Sequence, residues 1–118
     1  MRYDLVIIGG GPAGEKAATS AAYFNKRVAL VDASPKGPGG ATVHTGTLPS
    51  KTLRETALYL TGFRQRELYR GVQLDLPREL DARSLMCRLD QVSEWQGELI
   101  KQNLARHDID LIQGRARL

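Results

Sequence analysis

Cysteine is almost absent: the 118 residues hold a single one, Cys87, so no disulfide can close within the chain. A lone thiol suits a reducing cytoplasm, where the protein is expected to reside. No apolar run approaches the roughly 20 residues that a membrane-spanning helix needs. The N-terminus enters a strand by Asp4 without a charged-then-apolar leader, so neither a membrane nor a signal peptide is expected. Metal-ligand spacing is missing as well, because one cysteine and two distant histidines, His44 and His107, give no usable set. Basic clustering is also lacking. The net charge is +4, but the densest patch (Arg64, Arg66, Arg70) is interrupted by Glu67, which argues against a nucleic-acid partner.

What is present is ordinary for a globular domain. Hydrophobic residues make up 42% of the chain and charged residues 25%, enough for one domain with a core of its own. Residues 3–8 form a short β-branched apolar run of the kind a buried parallel strand requires. An alanine-rich segment from Ala13 to about Phe24 predicts a helix that packs close to a sheet, and residues 27–31 predict a second strand with Asp32 at its carboxyl end. Together these make a βαβ unit with a right-handed crossover.

Residues 33–47, rich in glycine, proline and small polar residues, read as a loop. A helix is predicted from about Thr47, with the threonine as cap, Pro49 in the first turn, Leu53, Ala57 and Leu60 at helical spacing, and Gly62 as a stop. Residues 64–80 look irregular. Asp81 can cap a longer helix reaching about Arg106, with Leu85, Leu89, Val92, Leu99 and Leu104 as one buried stripe. This helix is expected to pair antiparallel with the preceding one. Trp95 is expected between the two, Cys87 as a small buried or half-buried side chain, and His107 as a cation near a helix C-terminus. A last strand runs from Ile109 to about Ile112, before Gly114. The fold class is α/β, a partial Rossmann-type domain with a parallel sheet and a pair of long helices.

The first chemistry-bearing motif is Gly9-Gly10-Gly11-Pro12-Ala13-Gly14, which fits G-x-G-x-x-G between a strand and a helix. Gly9 allows the tight turn, Gly11 leaves room for a pyrophosphate against the backbone, and Gly14 lets helix and strand approach closely. Phosphates there face the free amides and partial positive charge of a helix N-terminus. Asp32 answers the turn at the right distance: a carboxylate in that place can accept both ribose hydroxyls of an adenosine and would repel a 2′-phosphate.

The second motif is Gly39-Gly40-Ala41-Thr42-Val43-His44-Thr45-Gly46-Thr47-Leu48-Pro49-Ser50-Lys51. With the glycine turn it resembles the pyridine nucleotide–disulfide oxidoreductase family, whose pattern here is Gly-Gly-x-Cys-x-x-x-x-Cys-x-Pro. Thr42 and Thr47 stand where the two redox sulfurs would be, and hydroxyls cannot form a disulfide or carry an electron pair. Within the family the segment looks like that of the soluble pyridine nucleotide transhydrogenases, in Thr47-Leu48-Pro49-Ser50-Lys51, in Glu15 after Gly14, and in His44 two places after Thr42. It departs from them at Thr42, since they usually keep the first cysteine.

That resemblance implies FAD as cofactor and NAD(P)(H) as substrate of a longer protein. It also implies that the turn from Gly9 to Gly14, Asp32 and the loop through Gly40, Ala41 and Thr42 line the FAD. Gly46 and Thr47 would lie beside it, the threonines bonding the flavin or capping the helix. Lys51 would approach the N5 side of the isoalloxazine, where an ammonium stabilises negative charge on a reduced flavin. His44 reads as a hydrogen-bonded structural residue rather than a catalyst.

Family members are several times longer, so residues 1–118 correspond to the N-terminal part of an FAD-binding domain, without the NAD(P) and dimerisation domains. No second glycine fingerprint occurs. The activity implied is hydride transfer from NADPH to NAD⁺ through FAD in a homodimer; the alternatives are another disulfide-free NAD(P)H:acceptor oxidoreductase or a non-catalytic nucleotide-binding fragment. The first strand is expected at an exposed edge in the isolated piece, leaving it marginally stable and weak in FAD binding.

Overall fold

The computed structural model describes residues 2–64 and 82–117. The fold opens with β1 (Leu5–Ile8), α1 (Pro12–Tyr23) and β2 (Val28–Asp32). A short α2 (Gly40–His44), the long helices α3 (Thr47–Arg64) and α4 (Ala82–Arg106), and β3 (Asp110–Gln113) follow. The three strands make one parallel sheet in the order β1-β2-β3, with Leu5 opposite Val28 and Ala29 opposite Asp110. The α/β class, the βαβ unit and the last strand are thus as the sequence indicates, with ends moved by a residue or two.

The core lies on one face of the sheet. Val28 and Leu30 of β2 meet Ala18 of α1, Leu104 of α4 and Ile109, with Ile7, Ala21, Ala22, Ile100 and Leu111 packed around them. Alanine at 18, 21 and 22 lets α1 sit close to the strands. Asn25 and Asp108 adopt positive φ (58° and 53°), and each turns the chain from a helix end back into the sheet. The opposite face carries Val6, Ile8 and Ile112, exposed at 53%, 58% and 43%. Ladder pairing places these three side chains on the same side of the sheet.

Several expectations need correction. The stretch 33–47 is not all loop, since α2 occupies Gly40–His44. Thr47 is the first helical residue of α3 rather than its cap, and the Gly46 carbonyl accepts the Ser50 amide at 3.0 Å. The helix passes Gly62 and reaches Arg64. Leu53 and Ala57 face outward; among the described side chains of α3, Pro49 and Thr52 are buried and Leu48 and Thr56 half-buried.

On α4, Leu89 and Leu104 are buried but Leu99 is exposed; the inward stripe passes instead through Gly97 and Ile100. Gly97 faces the loop before α2, where a Cβ would lie 3.9 Å from the Pro38 carbonyl oxygen, an ordinary contact. Trp95 is 62% exposed and Cys87 is exposed, so neither packs between the helices. α3 does lie along α4. The irregular segment after residue 64 and the cap at Asp81 fall outside the described residues.

Candidate functional site: a glycine cradle at the carboxyl ends of the strands

β1 delivers the chain into the glycine turn at the carboxyl edge of the sheet, where ligands bind in open parallel α/β folds. The Gly9 amide continues the ladder by donating to the Val31 carbonyl at 2.8 Å, and Gly9 turns with φ +105°. Gly11 is the N-cap of α1, and Pro12 fills the first helical position, where no amide is needed. A side chain at Gly14 would collide with the Gly9 carbonyl oxygen, so this glycine brings helix and turn together as expected.

Gly11 is open: a Cβ there would meet nothing nearer than the Gly40 Cα at 4.0 Å. From the other side, a Cβ on Gly40 would come 3.0 Å from the Gly11 Cα. Two glycines thus face each other where α1 and α2 begin, and the backbone between them is bare. The lack of side chains brings the starts of α1 and α2 into contact and leaves the amides at the start of α1 uncovered, so the residues present fit a dinucleotide whose pyrophosphate lies against those amides.

Asp32 ends β2 with its carboxylate 8% exposed. Its Oδ2 accepts the Gly10 amide at 2.6 Å and its Oδ1 the Ser34 amide at 2.7 Å. The acid therefore ties the glycine turn to the loop after β2, while each oxygen keeps a second lone pair for a hydroxyl. Gly10 is where sequence reasoning fell short. It is buried, and a Cβ would strike Asp32 Oδ2 at 2.8 Å and Pro38 at 2.9 Å. Only its place between the two motif glycines hints at this.

The second motif folds onto the first. The Gly39 amide donates to the Gly10 carbonyl at 2.7 Å, and Gly37, Gly39 and Gly40 all take positive φ. The C-terminus of α2 closes on the Ala41 carbonyl, which accepts from Gly46 at 2.6 Å and Thr45 at 3.2 Å. His44 is a hydrogen-bonded structural residue, its Nε2 lying 3.0 Å from the Gly37 carbonyl and 3.2 Å from that of Pro38.

Thr42 lines a cleft of about 350 Å³ with Pro12, Glu15, Gly39, Leu48 and Asn103. Across it the Asn103 amide donates to Glu15 Oε1 at 2.8 Å, a link from α4 to α1 that no motif announced. Ser93 Oγ likewise donates to the Val43 carbonyl at 3.0 Å and holds α2 against α4.

The structure therefore brings together Gly9–Gly14, Asp32, Gly40 and Thr42. Thr47 and Lys51 stand on the exposed side of α3, and the Lys51 ammonium lies 4.0 Å from Glu55, one turn on. His107 is exposed and bonded through Nδ1 to the Asn103 carbonyl. Among the described residues no cluster of three potential metal ligands occurs, and no helix is long and apolar enough to cross a membrane.

A parallel sheet, a glycine turn opening a helix and a buried acid ending the second strand define a dinucleotide-binding α/β protein. More narrowly, a family model described as pyridine nucleotide-disulphide oxidoreductase matches residues 3–118, and the chain belongs to that family. Among curated relatives, it is 44% identical over 115 residues to the soluble pyridine nucleotide transhydrogenase of Mycobacterium tuberculosis (strain ATCC 25177 / H37Ra), covering 98% of this chain and 24% of the relative. The enzyme of the same name from Marinobacter nauticus is 38% identical over 114 residues, covering 97% and 24%.

Among solved structures, the chain resembles the HOCl-induced flavoprotein disulfide reductase RclA from Escherichia coli in its Cu(II) complex. The TM-score is 0.77 at 28% identity, over 100% of this chain and 23% of the other. The chain thus spans about a quarter of the length of the relatives it matches.

Proposed function

We propose that residues 1–118 are the N-terminal part of the FAD-binding domain of a flavoprotein oxidoreductase that moves hydride from NADPH to NAD⁺ without a redox disulfide. The observation that carries this reading is the pairing of the Gly11–Gly40 cradle with a segment that has Thr42 and Thr47 at the family's two sulfur places. Relatives named as transhydrogenases support it.

Bound FAD would supply a hydride acceptor towards NADPH and a hydride donor towards NAD⁺. The chain's own residues do the rest. Gly11 and Gly40 admit the pyrophosphate, which meets the amides at the start of α1, and Asp32 accepts ribose hydroxyls while holding Gly10. Thr42 and Thr47 offer hydroxyls to the flavin side, and Lys51 would turn from Glu55 to the N5 edge, where its charge favours the reduced ring.

Catalysis belongs to the full-length protein, taken to be a cytoplasmic homodimer with its own NAD(P) domain; residues 1–118 alone are expected to be inactive. The test is the purified full-length protein, its FAD content and its NADPH-dependent reduction of thio-NAD⁺. FAD bound with efficient thio-NAD⁺ reduction is the expected result. FAD-free protein sinks the reading as a whole. Flavin with transfer only to quinones, metal ions or dyes replaces it with a different acceptor class.

A further inference from the structure

We infer that His44 is a positioning residue for the dinucleotide cradle, acting as a fixed hydrogen-bond donor that holds the loop before α2 against the glycine turn; this rests on the proposed FAD site. Its Nε2 lies 3.0 Å from the Gly37 carbonyl and 3.2 Å from the Pro38 carbonyl. Both partners are acceptors only, so this nitrogen must carry the proton. A bare ring nitrogen would instead set its lone pair against two oxygens.

What this donor restrains is the glycine-rich end of a loop whose first half is already turned by the Gly37 amide on the Ser34 carbonyl at 3.0 Å. Gly37, Gly39 and Gly40 have φ of +85°, +131° and +57°, a run that glycine permits but that is entropically costly to fix. Pro38 between them is fully buried and packs on Gly10. The next amide, Gly39, donates to the Gly10 carbonyl at 2.7 Å, and Gly10 in turn donates to Asp32. One residue on, Gly40 meets Gly11.

His44 therefore sits at the head of a sequence of contacts running through Gly37 and Pro38 to Gly39, Gly10 and Asp32. The other end of the lever is anchored, because α2 is tied to α4 by Ser93 Oγ on the carbonyl of Val43, the residue before His44. Among the described residues, Val43 is the other side chain of this turn that meets the loop, by apolar packing on Gly39, whereas Thr45 uses its amide on Ala41; the side-chain hydrogen bonds from this turn to the loop are those of His44.

The test compares His44→Gln with His44→Asn in the full-length protein. Both are neutral amides, but only glutamine carries its NH₂ far enough to take the place of Nε2. FAD affinity is measured by reconstitution of the apoprotein. Local opening is read by hydrogen exchange of the peptide covering residues 37–40 in the apoprotein, a readout that needs no flavin.

For His44→Asn, loss of the donor is expected to weaken FAD about tenfold and to speed exchange at Gly39 by a similar factor. His44→Gln is expected to stay within about twofold of wild type in both. The KM for NADPH should not move. Equal behaviour of the two variants, whether both harmless or both damaging, overturns the inference. Wild-type protein that takes up no FAD would instead defeat the functional reading, while the exchange experiment still decides the tether.

Discussion

Asp32 shows how much one buried carboxylate can organise. With Gly10 and Ser34 both donating to it, replacement by alanine leaves two backbone amides without an acceptor. Each buried unsatisfied donor costs about 1–3 kcal/mol. Asp32→Ala is therefore expected to lower the urea midpoint markedly at unchanged m-value, and a midpoint equal to wild type would show that the turn does not depend on it. Tyr3 gives a second, pH-dependent case. Its hydroxyl donates to Asp110 Oδ2 at 2.9 Å, and this bond, with some desolvation and the Asp110 charge, holds the phenol above its ordinary range. The folded state thus keeps a proton that the unfolded chain gives up earlier, so the contribution is intact below about pH 10 and fades as pH rises through the folded value. Tyr3→Phe should flatten that alkaline limb, and an unaltered limb would assign it elsewhere.

The elements differ in how readily their surroundings follow from their residues. β1, α1 and β2 were legible because a β-branched run, a glycine turn and an alanine-rich stretch each have one stable outcome. α2 was not, since five residues starting at Gly40 are too few for a periodic signal and begin at backbone angles that only tertiary contacts such as Gly39 to Gly10 justify. On α3 and α4 the helices were readable but their rotation was not. Periodicity puts Leu53 with Ala57 on one face of α3 and Leu99 with Leu89 on one stripe of α4, but which face turns inward is set by what each helix packs against, and there Pro49 and Thr52, and Gly97 and Leu104, are the buried residues. In the site, the turn at Gly9 and the close packing at Gly14 were legible from the motif, while Gly10, Asn103 and Ser93 act through partners far along the chain. Cys87 supplies the check on α4. Being exposed, it should react with a thiol reagent at nearly the rate of a free cysteine in the folded 118-residue chain, and protection until unfolding would mean that this face is covered.

For the molecule as a whole, the sheet sets the limits. Parallel sheets are ordinarily covered on both faces, yet here the side bearing Val6, Ile8 and Ile112 is exposed, and among the described residues β1 has no strand beyond it. The 118 residues alone are therefore expected to aggregate and to hold FAD weakly; micromolar or tighter affinity in a titration would contradict this. Ile8→Lys, at a site already 58% exposed, should improve solubility while shifting stability by no more than about 0.5 kcal/mol. If it leaves aggregation untouched, the sticky surface lies elsewhere. On the proposed reading, in which a longer polypeptide supplies the neighbour of β1, that edge is also expected to make the protein divisible. Cut after Leu118 and produced as two polypeptides in one cell, the full-length protein should zip together along β1, so that colour returns only when both pieces are present.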